Sequence, residues 1–427
     1  MVENPAEGSV DIPEVKWSRN DYTRVPLWLY HDQQIYDAEQ ERVFRGPVWS
    51  YVALDVEIPN PGDFITTYVG DTPVIVNRDK EGAIRAMVNR CAHRGATVRR
   101  ELRGNALEHV CIYHRWCYNL DGSLRGLPFR KGLKGKGGMS PEFDIAEHGM
   151  RPLRVAVHAG VVFATFSEDC EPLEEYLGPK VVSHLSRIFH RPIRILGYQR
   201  QRIRGNWKLY LENPRDMYHA SLLHEFMSTF GINRFTHEGG LKMDDRHRHM
   251  IAWSRQGTDD ETEFVELFKT NRVHESKMKL HDASILKCYR EFDDGVTLSI
   301  CSVFPNLVVH QIDNSLATRQ VRTVDKDEFE LYWTLFGYAD DSEELTHHRL
   351  LQANLVGAAG LVSMEDAEAI EIVHRASAGD PDGCTIVEMG GGGPIRETDF
   401  HINDVACRGF WSYYAELMGI EPEGAVR

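Results

Sequence analysis

The chain has 427 residues, 42% of them hydrophobic and 26% charged, with a formal net charge of −15. This is the composition of an ordinary globular protein long enough for two cores, and its acidity argues against nucleic acid or an anionic membrane as a partner. No run of eighteen apolar residues occurs, so no membrane-spanning helix is expected.

In chain order, residues 1–14 are acidic, broken by Pro and Gly, and lack the basic start and apolar stretch of a secretory signal; a loose arm is expected. The eight cysteines form no spaced disulfide framework, which fits a reducing cytoplasm. Apolar residues at helical spacing over 30–43 (Ile35, Tyr36, Val43) close an N-terminal arm and helix, 1–46, expected to pack on the catalytic domain. Short alternating runs from 51 to 166, broken by Gly, Pro and Asp-Gly, then predict an all-β domain over 47–168. Within it, the Gly- and Lys-rich stretch 131–138 lacks the G-K-[ST] ending of a phosphate loop and is read as a flexible surface loop.

That β domain carries two blocks, Cys91-Ala92-His93 and Cys111-Ile112-Tyr113-His114, with 94–110 between them, enough for a hairpin to bring both loops to one centre. Two thiolates and two neutral imidazoles at this spacing hold a two-iron, two-sulfur cluster of Rieske type, whose potential lies above that of an all-cysteine cluster. A structural zinc site uses the same four groups, but zinc motifs usually pair Cys with Cys and His with His. Arg94-Gly95 follows the first pair, and Arg115-Trp116 then Asp121-Gly122 follow the second, the last a turn signal closing a hairpin. Cys117 is surplus to the pattern and reads as a small packed residue.

The segment 169–427 has longer mixed elements. Helices are expected over 173–188, from Trp207 and over 342–354; strands are expected over 194–203, 249–254, 296–303, 307–312 and 329–337. The whole chain thus reads as α+β: an all-β domain plus a larger catalytic domain with an antiparallel sheet covered by helices. Gly390 to Gly393 reads as a turn or loop, and the acidic runs at 325–330 and 340–344 as solvated faces.

A second constellation lies in this domain. Asp216 and His219 are three apart and would share a helical face, whereas His224, five beyond His219, sits about 140° around an ideal helix, so both histidines reach one metal only if the helix distorts or ends between them. Two His plus a carboxylate, with open positions on one side, is the set ferrous iron uses to bind dioxygen beside an organic substrate. Asp366, in Ser363-Met364-Glu365-Asp366, is the best distant carboxylate; the blander readings are packed histidines and an Asp366 that caps its helix.

With both centres in one chain, the sequence resembles the large, catalytic subunit of Rieske non-heme iron aromatic-ring-hydroxylating oxygenases, from Arg24-Val25-Pro26 to Arg408-Gly409-Phe410. The resemblance implies that Cys91, His93, Cys111 and His114 bind the cluster and that His219, His224 and Asp366 bind a mononuclear Fe(II). It implies further that Asp216 hydrogen-bonds both His219 and a cluster histidine, His114 of the partner subunit, in a homotrimer. Asn213 and Asp216 are separated by two residues where naphthalene-type dioxygenases have three, so Asn213 is not carried over as a site residue. The shorter form resembles the subgroup acting on aromatic acids, such as salicylate 5-hydroxylase and the terephthalate and anthranilate dioxygenases. Ile195-Leu196-Gly197-Tyr198, Arg200-Gln201-Arg202-Ile203 and Leu127-Pro128-Phe129-Arg130 look most like the salicylate enzyme.

By this resemblance the chain hydroxylates an aromatic carboxylic acid with O2 and electrons from NADH, delivered by a separate reductase and ferredoxin, since no nicotinamide or flavin fingerprint is visible. Salicylate 5-hydroxylation to gentisate is the leading expectation, with anthranilate, terephthalate or another benzoate as alternatives; a small β subunit, giving α3β3, is common in the family. Arg319, read at a strand end, and Arg408, near the C-terminal helix, stand where aromatic-acid relatives carry arginines, and a guanidinium matches a carboxylate bidentately. Either arginine could equally form a surface or interface salt bridge. Two other classes stay open: a pure electron carrier, and a Rieske monooxygenase or N-dealkylase of a non-aromatic substrate.

Overall fold

The computed structural model describes residues 17–258, 266 and 278–422, so the arm expected over 1–14 lies outside them. The chain divides into a unit of Phe44–Tyr176 and a larger unit built from the described residues before and after it.

In the smaller unit, runs rich in β-branched and aromatic residues form a seven-stranded antiparallel sheet, ordered Ser50–Leu54, Val161–Thr165, Pro152–His158, Ile84–Val88, Thr72–Arg78, Asp63–Val69, Arg103–Asn105. A three-stranded sheet of His109–Val110, Cys117–Tyr118 and Leu124–Gly126 carries the second Cys/His loop between its first two strands. The Asp121-Gly122 turn forms as expected: the Asp121 carboxylate accepts from Ser123 N at 2.9 Å, and Gly122 takes a φ of +87°. Phe64, Ile75, Met87, Trp116 and Tyr118 pack around Cys91 and Cys111. The stretch 131–138 is an almost wholly exposed loop, tied by a bridge between Leu133 and Lys136.

The larger unit holds a second seven-stranded antiparallel sheet, ordered Ile193–Ile203, Glu328–Tyr338, Ser315–Asp325, Leu307–Ile312, Leu298–Val303, Met250–Arg255, Glu238–Met243. The central strands Leu298–Val303 and Leu307–Ile312 are buried throughout. The edge strand Ile193–Ile203 instead turns Arg194, Arg200 and Arg202 to solvent, charges that discourage edge-to-edge pairing. The expected strands appear within two residues of their bounds. Glu238–Met243 escaped expectation because Gly239 and Gly240 dilute its pattern. Arg319 is not at a strand end: it lies mid-strand in Ser315–Asp325, where long alternation continues past the Asn314 turn.

Helices Glu343–Val356 and Leu361–Ser377 lie against this sheet. The Ser342 hydroxyl caps the first by accepting from Leu345 N at 3.1 Å. Gly360 permits the tight link between them, since a Cβ there would overlap the Leu355 carbonyl oxygen. Leu361–Ser377 buries Val362, Asp366, Ile370, His374 and Ser377, a stripe at three- and four-residue spacing. Asp366 and His374 are costly groups to bury without partners, so the stripe itself points to polar sites beneath the helix.

Candidate metal centres

The two Cys/His loops are one turn used twice. Cys91 N donates to Ala96 O at 2.9 Å and Gly95 N to Cys91 O at 2.9 Å; Cys111 N donates to Trp116 O at 2.8 Å and Arg115 N to Cys111 O at 3.0 Å. Gly95 and Arg115 occupy matching positions with φ of 72° and 58°, a conformation glycine takes freely and which costs about 1 kcal/mol at arginine. Both cysteines are buried, and His93 Nδ1 faces His114 Nδ1 at 3.1 Å. Trp116 stacks flat on the His93 ring, with centroids 4.9 Å apart. The Tyr118 hydroxyl accepts from Ala92 N at 3.0 Å, leaving its proton for Cys91 Sγ at 3.1 Å. Burial raises the Cys91 thiol pKa, so its thiolate form calls for a bound cation. Two imidazole nitrogens aimed at one point complete a set that fits a Rieske cluster. Cys117 stands outside the set, its thiol pushed up to about 11 by burial and by Glu108.

In the larger unit the helix does end between the two histidines. Met217–Ala220 is one turn, closed when Leu222 N and Leu223 N both donate to His219 O at 2.8 Å, and Glu225–Thr229 starts after His224. The Asp216 carboxylate caps the first turn, accepting from His219 N at 3.2 Å, and its other oxygen stands 3.4 Å from His219 Nδ1. Asp366 is not a helix cap, since Leu361–Ser377 begins five residues earlier. Asp366 Oδ1 instead lies 3.4 Å from His219 Nε2 and 3.2 Å from His224 Nε2.

Each imidazole thus turns Nε2 toward Asp366 and Nδ1 toward an outer carboxylate, for His224 that of Glu365 at 2.8 Å. This is how outer carboxylates fix the tautomer and orientation of metal-binding histidines. Burial alone would raise the Asp366 pKa, but hydrogen bonds with His219 and His224 hold it well below the usual carboxylate range. Burial likewise opposes charge on His219, yet Asp216 and Asp366 outweigh it and lift its pKa to about 10. The pocket is built for positive charge, and its two imidazoles and one carboxylate, within 4.8 Å of one another, fit a divalent iron. Sequence reasoning passed over Glu365 and set Asn213 aside; Asn213 Nδ2 donates to Asp366 Oδ1 at 3.0 Å. Glu365 had one signal, its place beside Asp366.

The cavity at these groups has apolar walls that include Met217, Met227, Leu298, Ile300 and Val362, and Arg319 closes another part of it. The Arg319 guanidinium lies 4.3 Å over the Trp333 ring, donates to His310 Nδ1 at 3.0 and 2.7 Å, and reaches the Tyr210 hydroxyl at 3.4 Å. Burial, and then Arg319, hold His310 neutral. Among the described residues no carboxylate pairs with Arg319, although it is only 6% exposed. Arg408 is elsewhere: it donates to Gly393 O at 2.7 Å and lines a separate cleft with Trp253 and Phe400.

Residues 48–136 match the Rieske [2Fe-2S] domain, and residues 189–420 match the Ring hydroxylating alpha subunit (catalytic domain). The chain is 46% identical to the anthranilate 1,2-dioxygenase large subunit of Burkholderia cepacia over 96% of each chain. It is 44% identical to the terephthalate 1,2-dioxygenase terminal oxygenase component subunit alpha 2 of a Comamonas species, over 95% of this chain and 98% of that one. It is also 42% identical to the salicylate 5-hydroxylase large oxygenase component of a Ralstonia species, over 95% and 96%. Naphthalene 1,2-dioxygenase from Rhodococcus shares the fold, with a TM-score of 0.76 at 24% identity over 92% and 94% of the chains. Proteins of this kind contain a two-iron, two-sulfur cluster and a mononuclear iron, draw electrons from a reductase or ferredoxin and multimerise. The chain belongs to the Rieske ring-hydroxylating oxygenases, as an alpha subunit with its electron-accepting and catalytic domains in one polypeptide.

Proposed function

We propose that this chain hydroxylates the ring of a small aromatic carboxylic acid, with Arg319 as the carboxylate anchor. The observation that carries this is a buried guanidinium on the wall of the metal cavity with no carboxylate of its own. Leaving such a charge unpaired costs several kcal/mol, and an incoming carboxylate would remove that cost. The apolar wall suits the ring. The cavity is about 50 Å³, and Met217 and Met227 on its wall have the flexible side chains best able to give way to a ring.

His219, His224 and Asp366 would hold the iron and Cys91, His93, Cys111 and His114 the cluster; when bound, the iron activates dioxygen and the cluster supplies single electrons. Asn213 and Glu365 orient the Asp366 and His224 ligand groups. Asp216, with its side chain one-third exposed, would also accept from His114 of the partner subunit in a trimer, with or without a β subunit. With all eight cysteines unpaired, we place the protein in a reducing cytoplasm. Among the described residues no helix is long and apolar enough to cross a membrane.

Salicylate, anthranilate and terephthalate are the first acids to try. The short motifs favour salicylate, while the relative at 46% identity is named for anthranilate. A cationic substrate would call for an aromatic cage, and among the described residues no Phe, Tyr or Trp lines the cavity. Arg319→Ala should lower kcat/KM about 100-fold for the acid and little for its amide. Equal losses for both would refute the anchor.

A further inference from the structure

Among the described residues a second group of metal-ligating side chains lies apart from both centres: His31, Asp327 and His374. We propose that these three residues form a binding site for a divalent cation of the zinc class, linking the N-terminal segment and a sheet hairpin to the helix that carries Asp366.

The three come from distant stretches of chain. His31 follows the short helical turn Leu27–Tyr30, Asp327 sits in the hairpin between Ser315–Asp325 and Glu328–Tyr338, and His374 lies in the last turn of Leu361–Ser377. His374 Nε2 is 3.1 Å from Asp327 Oδ1, the His31 and His374 ring centroids are 4.5 Å apart, and one ligand atom from each residue lies within 4.8 Å of the others. Ligand atoms bound to one zinc at 2.0–2.2 Å stand roughly 3.3 Å apart, so small side-chain rotations complete the set.

The hydrogen bonds around the site leave a ring nitrogen open to a ligand. The Ser377 hydroxyl donates to His374 O at 3.1 Å, so its oxygen accepts the proton of His31 Nε2 at 2.8 Å. That bond fixes the tautomer and leaves the His31 Nδ1 lone pair free, which is how outer partners prepare a metal-binding imidazole. His374, only 8% exposed, turns Nε2 to within 3.1 Å of Asp327 Oδ1, so that nitrogen is the one a shared ion would take. Burial keeps both rings neutral at pH 7, the ligating form, with His31 lowered to about 4.

The opposing charges are limited. Lys326 already occupies the other Asp327 oxygen at 2.7 Å, and Lys208, which acts on both rings, is paired with Glu39. Asp327 is half exposed and offers an entry path. Two nitrogens and one carboxylate oxygen favour zinc, cobalt or nickel over calcium or magnesium. His374 lies two turns beyond Asp366, about 12 Å along the helix axis, so the ion would share no ligand with the iron.

The test is metal analysis of iron-loaded holoenzyme dialysed against low-micromolar Zn2+, with Co2+ as a visible-absorption probe. We expect one zinc per chain beyond an unchanged iron content, and tetrahedral cobalt absorption from the same site. Both should disappear in Asp327→Asn and in His31→Gln, which alter the accessible side and spare the buried His374. No extra zinc, zinc that displaces iron one for one, or uptake unchanged in both variants would overturn the site.

Discussion

The two metal centres stand in opposite surroundings. The cluster loops lie in the stretch 90–136, which holds eleven Lys and Arg against three Asp and Glu, in a chain whose net charge is −15. Ile112 and Tyr113, beside His114, are 53% and 58% exposed. The iron pocket is acidic, with Asp216, Glu365 and Asp366 around two histidines, and both His224 and Asp366 are buried. A centre that receives electrons must be reachable, and positive potential around it attracts acidic partners. A centre that handles dioxygen beside a ring gains from exclusion of water, which strengthens every charge interaction within it.

The largest effect should come from cutting the proposed link between these regions. Asp216→Asn keeps one acceptor oxygen but turns the other into an amide donor, so His219 N and His219 Nδ1 can no longer both be served; the cluster spectrum and bound iron should persist while product formation falls about 100-fold, as single-turnover assays would show. Full turnover would mean that electrons take another path. On the buried side alone, Glu365→Gln loosens the His224 orientation and should weaken iron about tenfold in a chelator competition, leaving the cluster untouched. At the cluster alone, Tyr118→Phe deletes one hydrogen bond to Cys91. The cluster potential should drop by about 60 mV, the equivalent of ~1.4 kcal/mol for one electron, measurable by redox titration without loss of iron from the larger unit.

The same contrast explains how much could be read beforehand. The cluster motif is local: four residues on two turns of identical hydrogen bonding, so spacing alone exposes it. The helix break between His219 and His224 was also legible, because five residues cannot keep one helical face. Asp366 stood out as the best distant carboxylate from its place in Ser363-Met364-Glu365-Asp366, and the resemblance then implied that it is a ligand. What stayed hidden depends on packing across strands and helices. Arg319 reaches the cavity from mid-strand, with His310 one strand away and Trp333 directly opposite, a register set by the whole sheet. Arg408 had the same local appearance and lies in another cleft. Asn213 was set aside because the spacing to Asp216 is one residue short of the naphthalene-type pattern, yet the helical turn of Asn213–Arg215 still delivers its amide to Asp366.

The most direct test of an exposed electron inlet serving a buried aromatic-acid pocket is one turnover of the pre-reduced, iron-loaded protein with ¹⁸O-labelled dioxygen. Salicylate, anthranilate, terephthalate and benzoate are supplied in turn, each beside its amide. The account predicts labelled oxygen in the ring of at least one acid and far less in the matching amide. Cluster oxidation without label in any acid, or equal labelling of acid and amide, would contradict it.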